Sequence, residues 1–208
     1  MAKKNTIIGV LAVQGDVLEH VLMMDEVLKK KNIDSKTILV KRPEQLDEID
    51  GLIIPGGEST IMSRLITEMR FGDKLIQKIK SRVKDGMGIF GTCAGAIMMA
   101  KTSSDQVVKE FKQALLELMD ITVIRNRYGR QQESFEKKLD IPALGKQAYP
   151  GVFIRAPVIT ATKGDAEVLC GNAKEIYAVR QGKLLAITFH PELTGDTRIH
   201  EYFLQMIK

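Results

Sequence analysis

Apolar and polar positions repeat with two different periods along this chain, and each change of period marks an element. Thr6 to Val13 is a compact β-branched run, Thr-Ile-Ile-Gly-Val-Leu-Ala-Val, as expected of a parallel strand buried on both faces. Gln14-Gly15-Asp16 closes it, with Asp16 where a helix N-cap is expected. Val17, Val21, Met24 and Leu28 follow at helical spacing and end in Lys29-Lys30-Lys31, where cations suit the helix dipole. Ser35 to Lys41 reads as a second strand, Arg42 to Leu46 as a helical turn with Pro43 near its start, and Gly51 to Ile54 as a third strand. Phe71 to Asp85 sets Leu75, Ile79 and Val83 on one helical face with lysines between them.

The second half is richer in short strands. Ala94 to Ala100 is helix-compatible, with Met98 and Met99 as core filler, and Ser104 to Leu118 has strong helical character. Ile121 to Ile124 and Gly151 to Ala156 read as strands. Val158 to Ala161, Glu167 to Leu169 and Ile176 to Arg180 read as antiparallel strands, and Gln181-Gly182 as the turn into a return strand, Leu184 to Phe189. Asp196 to Lys208 is a closing helix. His20 is expected to pack or to face solvent, and His200 to lie on the surface. No repeat, low-complexity tract or linker interrupts residues 1–208, which read as one domain.

Bulk composition narrows the classes. With 44% hydrophobic and 27% charged residues the chain is of ordinary globular type. The net charge of +5 is scattered and aromatics make up 5%, which argues against a nucleic-acid surface. Two cysteines, Cys93 and Cys170, form no disulfide framework and suit a reducing compartment. Met1-Ala2-Lys3-Lys4-Asn5 leads straight into a strand without a signal-peptide core, and the longest uncharged run, 86–100, is too short and glycine-broken for a membrane span. A cytoplasmic location is expected.

Three stretches carry candidate chemistry. Gly88-Ile89-Phe90-Gly91-Thr92-Cys93-Ala94-Gly95-Ala96-Ile97 runs from strand to sharp turn to helix, with Cys93 at the apex. Such an elbow pushes a side chain out of the sheet, and helix-start N–H groups favour an anionic nucleophile. A buried structural cysteine is the competing reading. Pro55-Gly56-Gly57 after the third strand is either a plain tight turn or an oxyanion hole, with the Gly57 and Ala94 N–H groups aimed at a developing negative oxygen. In His190-Pro191-Glu192, Pro191 biases His190 to an extended backbone, so that Glu192 projects to the same side and accepts a hydrogen bond from one ring nitrogen. The other nitrogen then faces Cys93; alternatively the pair merely caps a strand. No His/Cys grouping has metal-ligand spacing, and there is neither a Walker-type loop nor a dinucleotide fingerprint, so no metal or cofactor is expected.

Taken in order, Gln14-Gly15-Asp16, Gly56-Gly57-Glu58-Ser59-Thr60, Gly91-Thr92-Cys93-Ala94-Gly95, Arg125-Asn126, Gly129-Arg130-Gln131, Ser134-Phe135-Glu136, Phe153-Ile154-Arg155-Ala156-Pro157 and His190-Pro191-Glu192-Leu193-Thr194 cover nearly the whole chain. The set resembles the triad glutamine amidotransferases, and among them the glutaminase subunits of pyridoxal 5′-phosphate synthases. The resemblance implies an α/β fold of three layers, an open, mostly parallel sheet with helices on both faces and an antiparallel extension. It implies a catalytic triad of Cys93, His190 and Glu192. It implies glutamine contacts from Gly57, Glu58, Ser59, Arg125, Ile154 and Arg155, with Arg127 and Arg130 as alternative cations. It also implies ammonia release to a separate synthase subunit, which condenses it with a pentose phosphate and a triose phosphate. Gln14, at the end of the first strand, is a candidate for activation by that partner. One departure stands out: the family carries a Gly-Leu-Leu-like stretch where this chain has Glu117-Leu118-Met119. The rival readings are an elbow-cysteine peptidase or deglycase, an amidotransferase of another pathway, or a non-catalytic regulatory subunit on the same scaffold.

Overall fold

A computed structural model describes residues 6–68, 72–105, 108, 113–127 and 134–208. Five strands lie side by side and parallel: β2 (Thr37–Val40), β1 (Ile8–Leu11), β3 (Gly51–Ile54), β4 (Gly88–Thr92) and β12 (Leu184–Ile187). The sheet continues antiparallel through β11 (Ile176–Gln181), β9 (Val158–Thr162) and β6 (Met119–Arg125), and β5 (Ala100–Asp105) joins β6 in parallel at the far edge. β10 (Glu167–Gly171) pairs with β11, while β7 (Ser134–Leu139) and β8 (Tyr149–Ile154) form a separate antiparallel pair.

Strand period and helix period together divide the interior in two. Ile8, Val10, Ile53, Phe90, Leu185 and Ile187 point to one face, where they meet α1 (Val17–Lys30) and α5 (Arg198–Ile207) through Met24, Val27, Leu28, Phe203 and Ile207. The alternate residues, Leu11, Leu52, Ile54, Ile89, Leu184 and Ala186, point to the other. There they meet α2 (Ser59–Glu68), α3 (Gly72–Lys84) and α4 (Ala94–Met99) through Met62, Ile66, Leu75, Ile79 and Met98. Both faces of the parallel strands are thus covered, which is why these strands read as unbroken apolar runs. No helix among the described residues is long and apolar enough to cross a membrane.

The structure departs from the sequence pattern in three places. Ser104 and Asp105 belong to strand β5, and no helix occupies 113–118. The backbone of this segment finds partners elsewhere: Leu116 and Leu118 donate to the Met98 and Met99 carbonyls at 2.7 and 2.9 Å, and Ala114 donates to Ser63 Oγ at 2.9 Å. Long-range partners have overridden local helical propensity. Residues 106, 107 and 109–112, within the expected helix, lie outside the described residues, as does Phe71, expected to begin α3. Strand β7 was not anticipated; its Phe135 stacks on Phe153 of β8 at 4.7 Å. His200, expected at the surface, is fully buried, because α5 turns it toward the sheet.

Glu117 adopts φ +54°, the left-handed region that glycine enters freely. This is the position at which the sequence departs from the Gly-Leu-Leu-like pattern. A side chain there costs about 1 kcal/mol of backbone strain.

Candidate active site

Four strand ends meet at one edge of the sheet. The carboxyl ends of β1, β3, β4 and β12 deliver Gln14, Gly57, Cys93 and His190 to a cleft of about 280 Å³. Open α/β sheets bind ligands at this edge. Asp16, Glu58, Ser59, Ile97, Arg125, Asn126, Ile154, Arg155 and Leu193 complete the lining. A larger cleft of about 670 Å³ opens at the opposite edge, bounded by Asp50, Met87 and Lys183 at strand starts, and holds none of the expected site residues.

Cys93 sits at the turn between β4 and α4 with φ +46° and ψ −102°. Its amide donates to the Ile187 carbonyl at 2.9 Å, which ties the elbow to the neighbouring strand. Gly91 and Gly95 are needed on either side. A Cβ on Gly91 would meet the Met99 sulfur at 2.5 Å, and one on Gly95 would collide with the Ile54 carbonyl. Cys93 is one of five non-glycine residues with positive φ among those described, and two others, Asn126 and Arg155, also line the cleft. Such strain concentrates at functional sites. Helix α4 has only six residues, so any help to an anion comes from its first-turn N–H groups rather than from a long dipole.

His190 donates its main-chain N–H to the Val152 carbonyl at 2.8 Å, which anchors it to β8. Its Nδ1 lies 2.7 Å from Glu192 Oε1, and its ring lines the same cleft as Cys93. The sequence predicts this pairing from an extended backbone. The pairing is present, but the chain turns into a 3-10 helix at Pro191–Leu193, and this turn brings Glu192 back under the ring. Burial disfavours the charged imidazole, but the interactions with Asp16, Cys93 and Glu192 outweigh it and raise His190 to about 12. Burial also raises the Glu192 carboxyl, against the pull of His190.

The sequence predicts a helix cap at Asp16. The residue holds the cap position but makes no side-chain cap bond; its Oδ2 lies 3.3 Å from His190 Nδ1, and its carboxyl is lowered chiefly by that contact. A cap and a second imidazole acceptor look the same in sequence, which is why this contact was missed. Asp16, His190 and Glu192 hold three ligand atoms within 4.8 Å of one another, the one such grouping among the described residues. The Nδ1–Oε1 hydrogen bond engages two of those atoms, so the arrangement is that of an oriented imidazole.

The second side of the cleft is a braced loop. Glu58 caps α2, accepting the Thr60 and Ile61 N–H groups at 3.1 and 2.8 Å. Burial raises its carboxyl, but these bonds and Arg125 leave it lowered overall. Arg125, buried at the end of β6, donates to Glu58 Oε1 at 2.7 Å and Thr60 Oγ1 at 2.8 Å. Gln14 Oε1 accepts the Glu58 N–H at 3.0 Å, and the Gly56 carbonyl accepts the Asp16 N–H at 3.3 Å. Ile154 and Arg155 are exposed at the mouth. Arg130 and the rest of Gly129-Arg130-Gln131 lie outside the described residues.

The mixed sheet, with helices on both faces and a cysteine elbow at its carboxyl edge, has the architecture of the class I glutamine amidotransferases. A solved structure described as a glutamine amidotransferase superposes with a TM-score of 0.79 at 42% identity, covering 96% of this chain and 98% of the other. The chain belongs to the SNO glutamine amidotransferase family, whose model matches residues 10–208. A relative from Thermotoga neapolitana, named pyridoxal 5′-phosphate synthase subunit PdxT, is 50% identical over 97% of this chain and 99% of its own. A relative of the same name from Staphylothermus marinus is 46% identical over 96% of this chain and 98% of its own.

Proposed function

We propose that this chain is the glutaminase subunit of a pyridoxal 5′-phosphate synthase, one domain that hydrolyses L-glutamine to glutamate and ammonia. The reading is carried by the imidazole of His190, hydrogen-bonded to Glu192 at 2.7 Å in the cleft that also holds the elbow thiol of Cys93. His190 takes the thiol proton, and Cys93 Sγ attacks the side-chain amide carbon of glutamine. The oxyanion is held by the N–H groups of Gly57 and Ala94. His190 then protonates the leaving nitrogen, the C–N bond breaks, and ammonia departs. Water, deprotonated by His190, attacks the γ-glutamyl thioester; glutamate leaves and the thiol is restored. Glu192 fixes the imidazole throughout. Ammonia passes to a separate synthase subunit. The two free thiols suit a cytoplasmic setting.

A glutamine-like electrophile is expected to label Cys93 stoichiometrically and to leave Cys170 untouched. Cys170 is buried in β10, and burial raises its thiol to about 11 despite the opposing effect of Lys137, so little thiolate exists near neutrality. Peptide mapping that put the label mainly on Cys170 would overturn the assignment of the nucleophile. Release of glutamate and ammonia from glutamine, assayed with and without the synthase, tests the activity itself.

Gly57, Glu58, Ser59, Ile154, Arg125 and Arg155 form the glutamine pocket in this reading. Arg155 lies exposed at the mouth and suits the substrate carboxylate, whereas Arg125 also braces Glu58. Arg155→Ala is expected to weaken glutamine binding about tenfold to a hundredfold, the worth of a hydrogen bond to a charged group, at unchanged melting temperature. Arg125→Ala should weaken binding and lower the melting temperature as well. Unchanged calorimetric affinity in both variants would remove these arginines from the pocket.

A further inference from the structure

Behind Glu192, on the side away from His190, lies a buried polar file that the chemistry above does not use. His20 of α1 and His200 of α5 are both fully buried. His20 Nδ1 is 3.0 Å from His200 Nε2. His20 Nε2 is 3.1 Å from Thr92 Oγ1 and 3.4 Å from Glu192 Oε2. Phe90 packs nearly perpendicular to both rings, with centroids 6.0 and 5.4 Å away. The file therefore runs from the cysteine elbow, through His190 and Glu192, to the two helices on the far face of the sheet.

The proton positions follow from counting donors. A neutral imidazole has one N–H and one lone pair. His200 Nδ1 is buried with no hydrogen-bond partner among the described residues. A proton there would be an orphaned buried donor, which proteins avoid. The His200 proton therefore sits on Nε2 and is donated to His20 Nδ1. The His20 proton must then sit on Nε2, facing Thr92 Oγ1 and Glu192 Oε2. The opposite arrangement would orphan an N–H on His200 and turn a His20 lone pair toward a carboxylate. Burial keeps both rings neutral: His20 is lowered well below its ordinary value and His200 to about 3.

We propose that His20 is a positioning residue of the active site, whose Nε2–H holds the outer oxygen of Glu192, with His200 fixing the tautomer that makes this donation possible. The inference rests on the triad reading. Glu192 Oε1 is taken by His190, whereas Oε2 is buried without a hydrogen-bond partner among the described residues and lies 3.4 Å from His20 Nε2. A small closing of that 3.4 Å gap would hold the carboxylate at both oxygens and keep it from rotating away from the imidazole. The titratable groups facing His20 are His200 from α5, and Glu192 and His190 from the segment after β12. Those facing His190 are Asp16, Cys93 and Glu192.

The test compares two amides at position 20, in the full chain with its synthase. Gln carries its N–H₂ near the site of Nε2, whereas Asn places it near Nδ1, toward His200. His20→Gln is expected to keep the wild-type kcat and pH profile. His20→Asn is expected to lose about tenfold to a hundredfold in kcat, the worth of one hydrogen bond to a charged group. Its KM should stay within about twofold, because no ground-state contact is lost. Its alkaline limb should move toward neutral, because a loosened Glu192 no longer holds the His190 proton. Wild-type kcat with an unmoved limb in the Asn variant would overturn the proposal. Equal losses in Gln and Asn would also overturn it, since packing alone would then explain both. Should His20→Asn fail to fold, His200→Leu removes the donor to His20 Nδ1 and must lower the same limb. Glu192→Gln, run in parallel, separates the failures. Full activity there defeats the triad reading; lost activity there with intact His20 variants defeats only this proposal.

Discussion

Replacing His190 by Asn is expected to cut glutamine hydrolysis by about 10²–10⁴-fold, the usual worth of a general acid–base group. The amide of Asn still offers Glu192 a donor, so the fold should persist, but it can neither take the Cys93 proton nor deliver one to departing ammonia. The hydrogen bonds that raise His190 to about 12 also predict the pH behaviour. The imidazolium that protonates the leaving group survives well above neutrality, so the wild-type rate should hold into the alkaline range. The stabilisation from the raised His190 is complete below the unfolded value of 6.5 and is lost as pH rises toward about 12. Melting temperatures measured across that interval should fall in the wild type by more than in His190→Asn. Most of the wild-type rate remaining in the variant would require a different base.

The second large effect is control by the partner. The free subunit is expected to be a poor glutaminase, and docking of the synthase should raise its rate by about 10²–10³-fold, the worth of one oxyanion donor. Ammonia released without an acceptor is wasted, so selection favours coupling. A flip of the Gly56–Gly57 peptide would supply the means. Gly57 at φ +140° turns at little cost, and the only described bond that a flip must break is the long one, 3.3 Å, from the Asp16 N–H to the Gly56 carbonyl. One orientation offers the Gly57 N–H to the oxyanion, and the other offers a carbonyl that repels it. Gln14 stands against this loop; its Oε1 accepts the Glu58 N–H, and a Cβ on Gly57 would strike the same side chain at 2.6 Å. Gln14→Ala should therefore lower the rate of the complex and leave the free subunit unchanged. Equal ammonia release by free chain and complex would refute partner activation. An unimpaired Gln14→Ala complex would refute only the role of Gln14.

What could be read in the sequence was what is local. The parallel strands announce themselves because burial on both faces demands continuous runs such as Gly51 to Ile54, and β3 spans those same residues. The elbow was legible because Gly91 and Gly95 are required within one turn of Cys93. His190 and Glu192 were legible because they are two residues apart, although a 3-10 turn rather than an extended chain joins them. What depends on distant partners was not. Ser104 has no local mark of a strand, because the partner that makes it one is Ile124 of β6, twenty residues on in the sequence. His200 occupies a helical position that periodicity could assign to either face, and only the packing of α5 against α1 and β4 decides. Asp16 was given its position correctly and its contact wrongly, because the imidazole that competes with capping arrives from the other end of the chain.

The sheet that divides the interior also partitions how this protein can change. Leu75 and Ile79 lie on one side, Met24 and Phe203 on the other, in clusters that share no residue. Substitutions in opposite clusters should therefore have additive effects, as do those at sites without common partners. Thr92, His20, His200 and Glu192 are the exception, a polar thread from the nucleophile's strand into the α1–α5 face. If each fixes the protons of the next, as proposed above, a change at one alters what the others can tolerate. In an alignment, these four positions are where co-variation between the two terminal helices and the catalytic edge should concentrate.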